Sequence, residues 1–307
     1  MRIVFFGTPE FAVASLEALA EHRETVTAVV TQPDRSRGRS HSNLQHPPVK
    51  DRALSLGIPV IQPGRPAGPD FAAELRALDA DLGVVVAYGH LLKPEILAIP
   101  RLGMINVHAS LLPAWRGAAP IQWSIAHGDT RTGVSIMQME AGLDSGPVLL
   151  ARDTPIGPDE TGGQLTRKLA RLGAGALIEA LGLLATGTAV FTPQDSAGVT
   201  LAPKIGRETG RIDWSVPAAT VANRIRAFDP VPGAWTSGPA GELKCFRPSV
   251  VDGAGAPGTI LDATSALVVA AGDRAVSIRE VQPSGRPRMS AAAWLRGRPV
   301  GPAHVLR

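Results

Sequence analysis

What this chain of 307 residues has little of already narrows the field. It carries one cysteine, Cys245. A single thiol excludes an internal disulfide and any cysteine-rich metal cluster, and it fits a reducing compartment. No apolar run approaches the roughly 20 residues of a membrane span; Leu82 to Tyr88 is among the longest. The opening run, Met1 to Gly7, is too short for a signal peptide and reads as a buried first strand. Together these absences predict a soluble, cytoplasmic protein with no membrane partner. There is no G-x-G-x-x-G, no G-x-S-x-G, no His-Glu-x-x-His and no Cys-x-x-Cys. A dinucleotide fingerprint, a nucleophile elbow and a zinc motif are therefore not the basis of any activity. Pro9, in the Gly7-Thr8-Pro9-Glu10 turn, also removes a backbone donor that a phosphate would use.

Acids run out as well. None follows Glu280, whereas Arg286, Arg288, Arg296, Arg298 and Arg307 do. Residues 190–307 carry 14 Lys and Arg against 9 Asp and Glu, a net +5, while residues 1–189 carry 17 against 18, a net −1. A solvated basic surface would explain this, and so would contact with a polyanion such as nucleic acid. Arg35, Arg37, Arg39 and Lys50 form a second basic stretch, either a solvated loop or a grip on a phosphate backbone.

What is present suits two domains, or one large one, with proper cores, since 44% of residues are hydrophobic and 19% charged. In the first half, strand and helix signals alternate. Strands are expected at Ile3–Phe6, Val26–Thr31, 58–61, Leu82–Ala87, Met104–Ala109, 134–139 and 148–151. Helices are expected at 11–22, 48–56, 70–78, 94–98, 120–127 and 163–184. Continuous apolar strands between helices argue for a mostly parallel sheet covered on both faces. Such sheets bind ligands beyond the carboxyl ends of their strands. Residues 192–205 have no clear period and read as a linker. After a helix at 218–227, short strand-like pieces at 243–246, 258–261, 267–270 and 276–281 suggest a small barrel or sandwich.

Two stretches carry chemistry. In Asn106-Val107-His108, side chains alternate, which puts Asn106 and His108 on one face about 7 Å apart. A lone histidine on a strand is most often an ordinary core residue. An amide two positions earlier on the same face changes that reading, because two unsatisfied polar groups are costly to bury. Asp144 follows an apolar strand; alone it reads as a turn residue, and its place between Gly142 and Gly146 offers the other reading, a carboxylate that orients a histidine. An amide donor, a titratable ring and an acid on one rim are equipment for moving an acyl group. Nothing marks Ser110 as an activated nucleophile. Direct transfer, with neither a covalent intermediate nor a metal, is the simpler expectation.

These residues resemble a family. Asn106-Val107-His108 with Ser110-Leu111-Leu112-Pro113, Trp115-Arg116-Gly117-Ala118-Ala119-Pro120 and Gly142-Leu143-Asp144-Ser145-Gly146 are similar to the motifs of the methionyl-tRNA formyltransferase family. So are Ala202-Pro203-Lys204, Arg211-Ile212-Asp213-Trp214 and Arg224-Ile225-Arg226-Ala227-Phe228. The resemblance implies a Rossmann-like formyltransferase domain over 1–190, a linker over 191–206 and an OB-like barrel over 207–307 that binds tRNA. It implies formyl transfer from 10-formyltetrahydrofolate to the α-amino group of methionyl initiator tRNA. Asn106, His108 and Asp144 would then be catalytic. Ser110, Leu111, Leu112 and Pro113 would bind folate, with 86–92 and the loop before Asp144 around the pterin. Arg35, Arg37, Arg39 and Lys204 would meet tRNA. A monomer without metal is expected. The sequence departs from the usual pattern at Ala114, Asp229 and Val231. Competing readings keep the donor but formylate an amino sugar nucleotide or glycinamide ribonucleotide, hydrolyse the donor, or bind RNA without catalysis.

Overall fold

The computed structural model describes residues 1–307 except Arg23, 38–42, Arg298, Pro299 and Ala303. The chain divides into two compact units. One comprises Met1–Ala118, Gly133–Thr154 and Thr166–Ala202; the other comprises Ala119–Thr132, Pro155–Leu165 and Pro203–Arg307.

The strands centred in the first unit are β1 (Arg2–Gly7), β2 (Thr25–Val30), β3 (Arg35–Arg37), β4 (Asn43–Gln45), β5 (Val60–Ile61), β6 (Leu82–Val86), β7 (Met104–His108), β8 (Arg116–Gly117), β9 (Arg131–Gln138), β10 (Val148–Pro155) and β11 (Leu201–Ala202). Its helices are α1 (Glu10–Glu21), α2 (Pro48–Ser55), α3 (Pro69–Ala77), α4 (Pro94–Leu97) and most of α6 (Gly162–Thr186), while α5 (Pro120–His127) lies in the second unit. Proline opens α2, α3, α4 and α5. Its fixed φ suits the first helical turn, where the missing N–H would have had no partner anyway.

Seven strands form the main sheet in the order β10-β9-β7-β6-β1-β2-β5. Strands β5, β2, β1, β6 and β7 run parallel, and β9 is antiparallel to β7. All five residues of β6 are buried, as an unbroken apolar run demands when helices cover both faces. The chain builds outward from β1 to β2 and β5, then returns to add β6 and β7 on the other side. That reversal opens a crevice at the carboxyl ends of β1 and β6. Helix α6 lies behind β7: a β-carbon on its Gly173 would sit 2.8 Å from Val107 Cγ1. By length and composition α6 could cross a membrane. It instead buries Leu165, Leu169, Leu177 and Leu181 within the fold and exposes Arg167, Arg171 and Glu179.

The second unit holds α7 (Ala218–Ala227), β12 (Ala234–Gly238), β13 (Gly241–Val251), β14 (Ile260–Ala263), β15 (Leu267–Ala270), β16 (Ala275–Pro283), β17 (Met289–Ser290) and α8 (Ala291–Arg296). Its antiparallel sheet runs β12-β13-β16-β15-β14, with β17 beside β16. Residues 304–307 join the two edges. Ser237 of β12 exchanges two backbone hydrogen bonds with Arg307, and Leu306 N–H donates to the Gly258 carbonyl at 2.8 Å. Ile260 N–H of β14 donates to His304 at 2.8 Å. This closes the sheet as the barrel expectation requires. At Asp229, one of the departures from the family pattern, a buried carboxylate takes two bonds from Arg288, at 2.7 and 3.1 Å. The Arg288 guanidinium lies 4.0 Å above the Phe246 ring.

The expected helices and strands recur within a few residues of their boundaries. The expected linker is not without pairing. Its residues include β11, which pairs with β8, and a hydrogen-bonded bridge from Thr192 to Val148. A stretch of mixed composition shows no period because its partners are scattered loops rather than a helix or sheet face.

Candidate active site

His108 is the last residue of β7, and Asn106 stands two positions before it on the same face. Val107 between them points back toward α6. Asn106 is half-buried and His108 is 5% exposed. The ring is held on one side and faces a carboxylate on the other. Its Nε2 lies 2.9 Å from the Trp115 carbonyl, which can only accept, so the proton sits on Nε2. Its Nδ1 faces Asp144 Oδ2 at 3.7 Å. The same Oδ2 accepts the Gly117 N–H at 2.8 Å. Thus His108 and Asp144 meet at the carboxyl end of a central strand, with Asn106 two positions earlier on the same face.

Two loops make this possible, and each is held in an uncommon backbone conformation. Trp115 and Asp144 are in the left-handed region, with φ of 61° and 46°. The glycines explain themselves locally. Gly117 has φ of 121°, and a β-carbon there would lie 2.7 Å from the Ala202 carbonyl oxygen. A β-carbon on Gly146 would come within 1.9 Å of the Gln138 carbonyl oxygen. Gly146 therefore lets the Asp144 loop fold back onto β9; its place is structural.

The segment 110–113 forms the turn beyond His108. Ser110 is fully buried, and its hydroxyl donates to the Ala114 carbonyl at 2.6 Å. Buried Ser135 donates to the Ser110 carbonyl and accepts Leu112 N–H, at 2.8 and 3.0 Å. Leu111, Leu112 and Pro113 are half-buried, so this turn presents apolar side chains at its surface. Beside it, at the end of β6, the Tyr88 carbonyl accepts Thr8 Oγ1 and Gln32 Nε2 at 3.0 and 2.9 Å. Burial pushes the Tyr88 phenol up to about 12. Among the described residues no group could hold a metal ion.

The basic residues are dispersed. Arg35 is exposed and its guanidinium bonds the Gln32 side chain. Arg37 is on β3, Arg39 lies outside the described residues, and Lys204 is exposed. Lys50 is spent locally: its ammonium donates to both Asp34 oxygens, at 2.9 and 2.7 Å. Asp34 also accepts the Gln62 amide, which with Lys50 holds its carboxyl below the usual range. In the second unit, Arg207 and Arg211 stack on Trp235, 5.2 and 5.7 Å from its ring centre. Sequence reasoning missed this cluster and also Gln194, Thr200 and the Trp115 carbonyl. Trp115 is visible as a scarce aromatic beside Arg116; Trp235 has no arginine near it in sequence, and Gln194 carries no sequence signal.

The formyl transferase family matches residues 1–181, and the formyl transferase C-terminal domain matches 204–299. The chain is 50% identical to the methionyl-tRNA formyltransferase of Symbiobacterium thermophilum, over 97% of this chain and 92% of that protein. It is 48% identical to that of Myxococcus xanthus, over 98% and 96%. Among solved structures, HypX from Aquifex aeolicus in complex with tetrahydrofolic acid shares the fold, with a TM-score of 0.63 and 21% identity. That match covers 96% of this chain and 47% of HypX. Matched along nearly its whole length in sequence, the chain belongs to the methionyl-tRNA formyltransferase family.

Proposed function

We propose that this protein transfers the formyl group of 10-formyltetrahydrofolate to the α-amino group of methionyl initiator tRNA. The observation that carries the reading is the convergence of Asn106, His108 and Asp144 at the end of β7, in a chain 50% identical to a methionyl-tRNA formyltransferase. The amine lone pair attacks the formyl carbon, and a C–N bond forms as the carbonyl becomes an oxyanion. Asn106 donates a hydrogen bond to that oxygen. Collapse breaks the bond to the folate nitrogen, which takes up a proton as the attacking amine gives one away. His108 moves that proton through Nδ1, since Nε2 is committed to the Trp115 carbonyl. Asp144 orients the ring and stabilises positive charge that develops on it.

Leu111, Leu112 and Pro113 supply apolar contact to the folate, and Ser110 shapes the turn that presents them. The loop 86–92 lies at the end of the neighbouring strand, where the pterin would sit. Residues 1–190 act as the catalytic part and 207–307 as the tRNA-binding part. Arg35, Arg37, Arg39 and Lys204, with Arg207 and Arg211 on Trp235, offer charge and an aromatic face to the nucleic acid. The protein works as a cytoplasmic monomer, with neither metal nor membrane.

The test mixes the purified protein with 10-formyltetrahydrofolate and methionyl initiator tRNA at two salt concentrations. Formyl-methionyl-tRNA should form, and its rate at low tRNA concentration should fall steeply with salt. Folate binding without product would instead point to a small amine acceptor.

A further inference from the structure

Residues 194–202 are bonded to both loops that flank the His108 ring, the one carrying Trp115 and the one carrying Asp144. Thr200 Oγ1 accepts Trp115 N–H at 2.8 Å, and the Thr200 carbonyl accepts Arg116 N–H at 2.9 Å. The Ala202 carbonyl accepts Ala118 N–H at 2.8 Å. These bonds fix the loop whose Trp115 carbonyl holds Nε2. On the other side stands Gln194. Its Oε1 accepts Nε and Nη2 of Arg116, at 3.0 and 2.8 Å. Its Nε2 donates to the carbonyls of Asp144 and Gly146, at 2.8 and 2.7 Å. The amide can face only this way, because a flip would oppose donor to donor and acceptor to acceptor. All four contacts are therefore one interlocked set.

We propose that Gln194 is a positioning residue: by tying the Arg116 guanidinium to the Asp144 and Gly146 carbonyls, it sets the Asp144 carboxylate against His108. This rests on the catalytic reading given above. Asp144 sits in the left-handed region, which aspartate tolerates better than most residues but which still costs free energy that local bonds must offset. Among the described residues its carboxylate accepts the Gly117 N–H, and its carbonyl accepts from Gln194. Removing the Gln194 donors frees the backbone at the strained residue itself, and small displacements of a reacting group cost rate steeply.

Two variants separate the parts of the clamp. Gln194→Met keeps the length and removes every polar contact. Gln194→Glu keeps an acceptor for Arg116 and sets carboxylate oxygen against the two carbonyls. Both should lower kcat roughly 10- to 100-fold with KM for folate and for tRNA within about twofold. In the substrate-free protein, hydrogen exchange at the Gly117 amide should rise while that at β6 stays unchanged. Wild-type kcat in Gln194→Glu, a change confined to KM, or unchanged Gly117 exchange would overturn the proposal. If the wild-type protein forms no formyl-methionyl-tRNA, the proposed function fails, and the exchange experiment still decides the clamp. Should Gln194→Met fail to fold, Gln194→Glu carries the test.

Discussion

Asn106 supplies an amide donor from a half-buried position, on a strand whose backbone is already paired with β6 and β9. Replacing it with alanine therefore removes a donor without removing a structural bond of the strand. The loss of one oxyanion donor typically costs about 3–4 kcal/mol of transition-state stabilisation, or roughly 100- to 1000-fold in rate. Asn106→Ala should show that fall in kcat with a melting temperature close to wild type. A full-rate variant would remove Asn106 from the mechanism. This residue and His108 were legible in the sequence because strand alternation is enough to put them together. Asp144 was legible as an acid between glycines, although the glycines serve the loop's own packing. The holding groups were not legible. Gln194 meets Asp144 from 50 positions away through backbone carbonyls, and every residue has one of those. No residue type advertises that partner.

Elements were legible where periodicity is imposed by one packed face. The helices at 120–127 and 218–227 and the strand at 267–270 fall where their patterns put them. β12 and the stretch containing β11 were missed, because short segments that pair with loops carry no sustained pattern. The closing segment 304–307 belongs to the same class, and Leu306 is its anchor. Leu306 is 4% exposed, and a β-carbon on Gly238 would come within 2.5 Å of its Cδ2. Leu306→Ala leaves the backbone bond to Gly258 possible but empties the space that draws the two edges together. Deleting a buried leucine side chain costs about 2–5 kcal/mol. The expected result is a lower denaturation midpoint for the second unit, with faster amide exchange at Ser237 and Leu306. Exchange along β7 should not change. An unaltered midpoint would mean that β12 and β14 hold the closure without this side chain.

For the whole molecule, scarcity becomes an experimental advantage, since one cysteine and one tyrosine each report a single place. Cys245 is fully buried in the second unit, and burial pushes its thiol up to about 12 from an ordinary value of 9.0. Tyr88 is 1% exposed in the first unit, and its phenol rises from 10.0 to about 12 for the same reason. Its hydroxyl has no hydrogen-bond partner among the described residues, so only desolvation acts on it. In both groups the neutral form is the one the fold holds. Below about pH 8 folded and unfolded chains carry these protons equally, and the groups leave stability unaffected. Above it the unfolded chain releases protons that the native state keeps, so stability falls as pH rises, by about 1 kcal/mol per pH unit for each ionising group. The sign is opposite to that of a paired carboxylate such as Asp34, whose contribution is lost as pH falls. Three readings should agree. Tyrosinate absorbance of the native protein should stay flat past pH 10 and rise only as the chain unfolds. Cys245 should resist thiol reagents at pH 8 and react once denaturant is added. The denaturant midpoint should drop between pH 8.5 and pH 10.5. Native titration of the tyrosine near 10 would show that the apolar cluster of Phe6, Met104 and Tyr88 admits water, and with it the β6 end of the crevice.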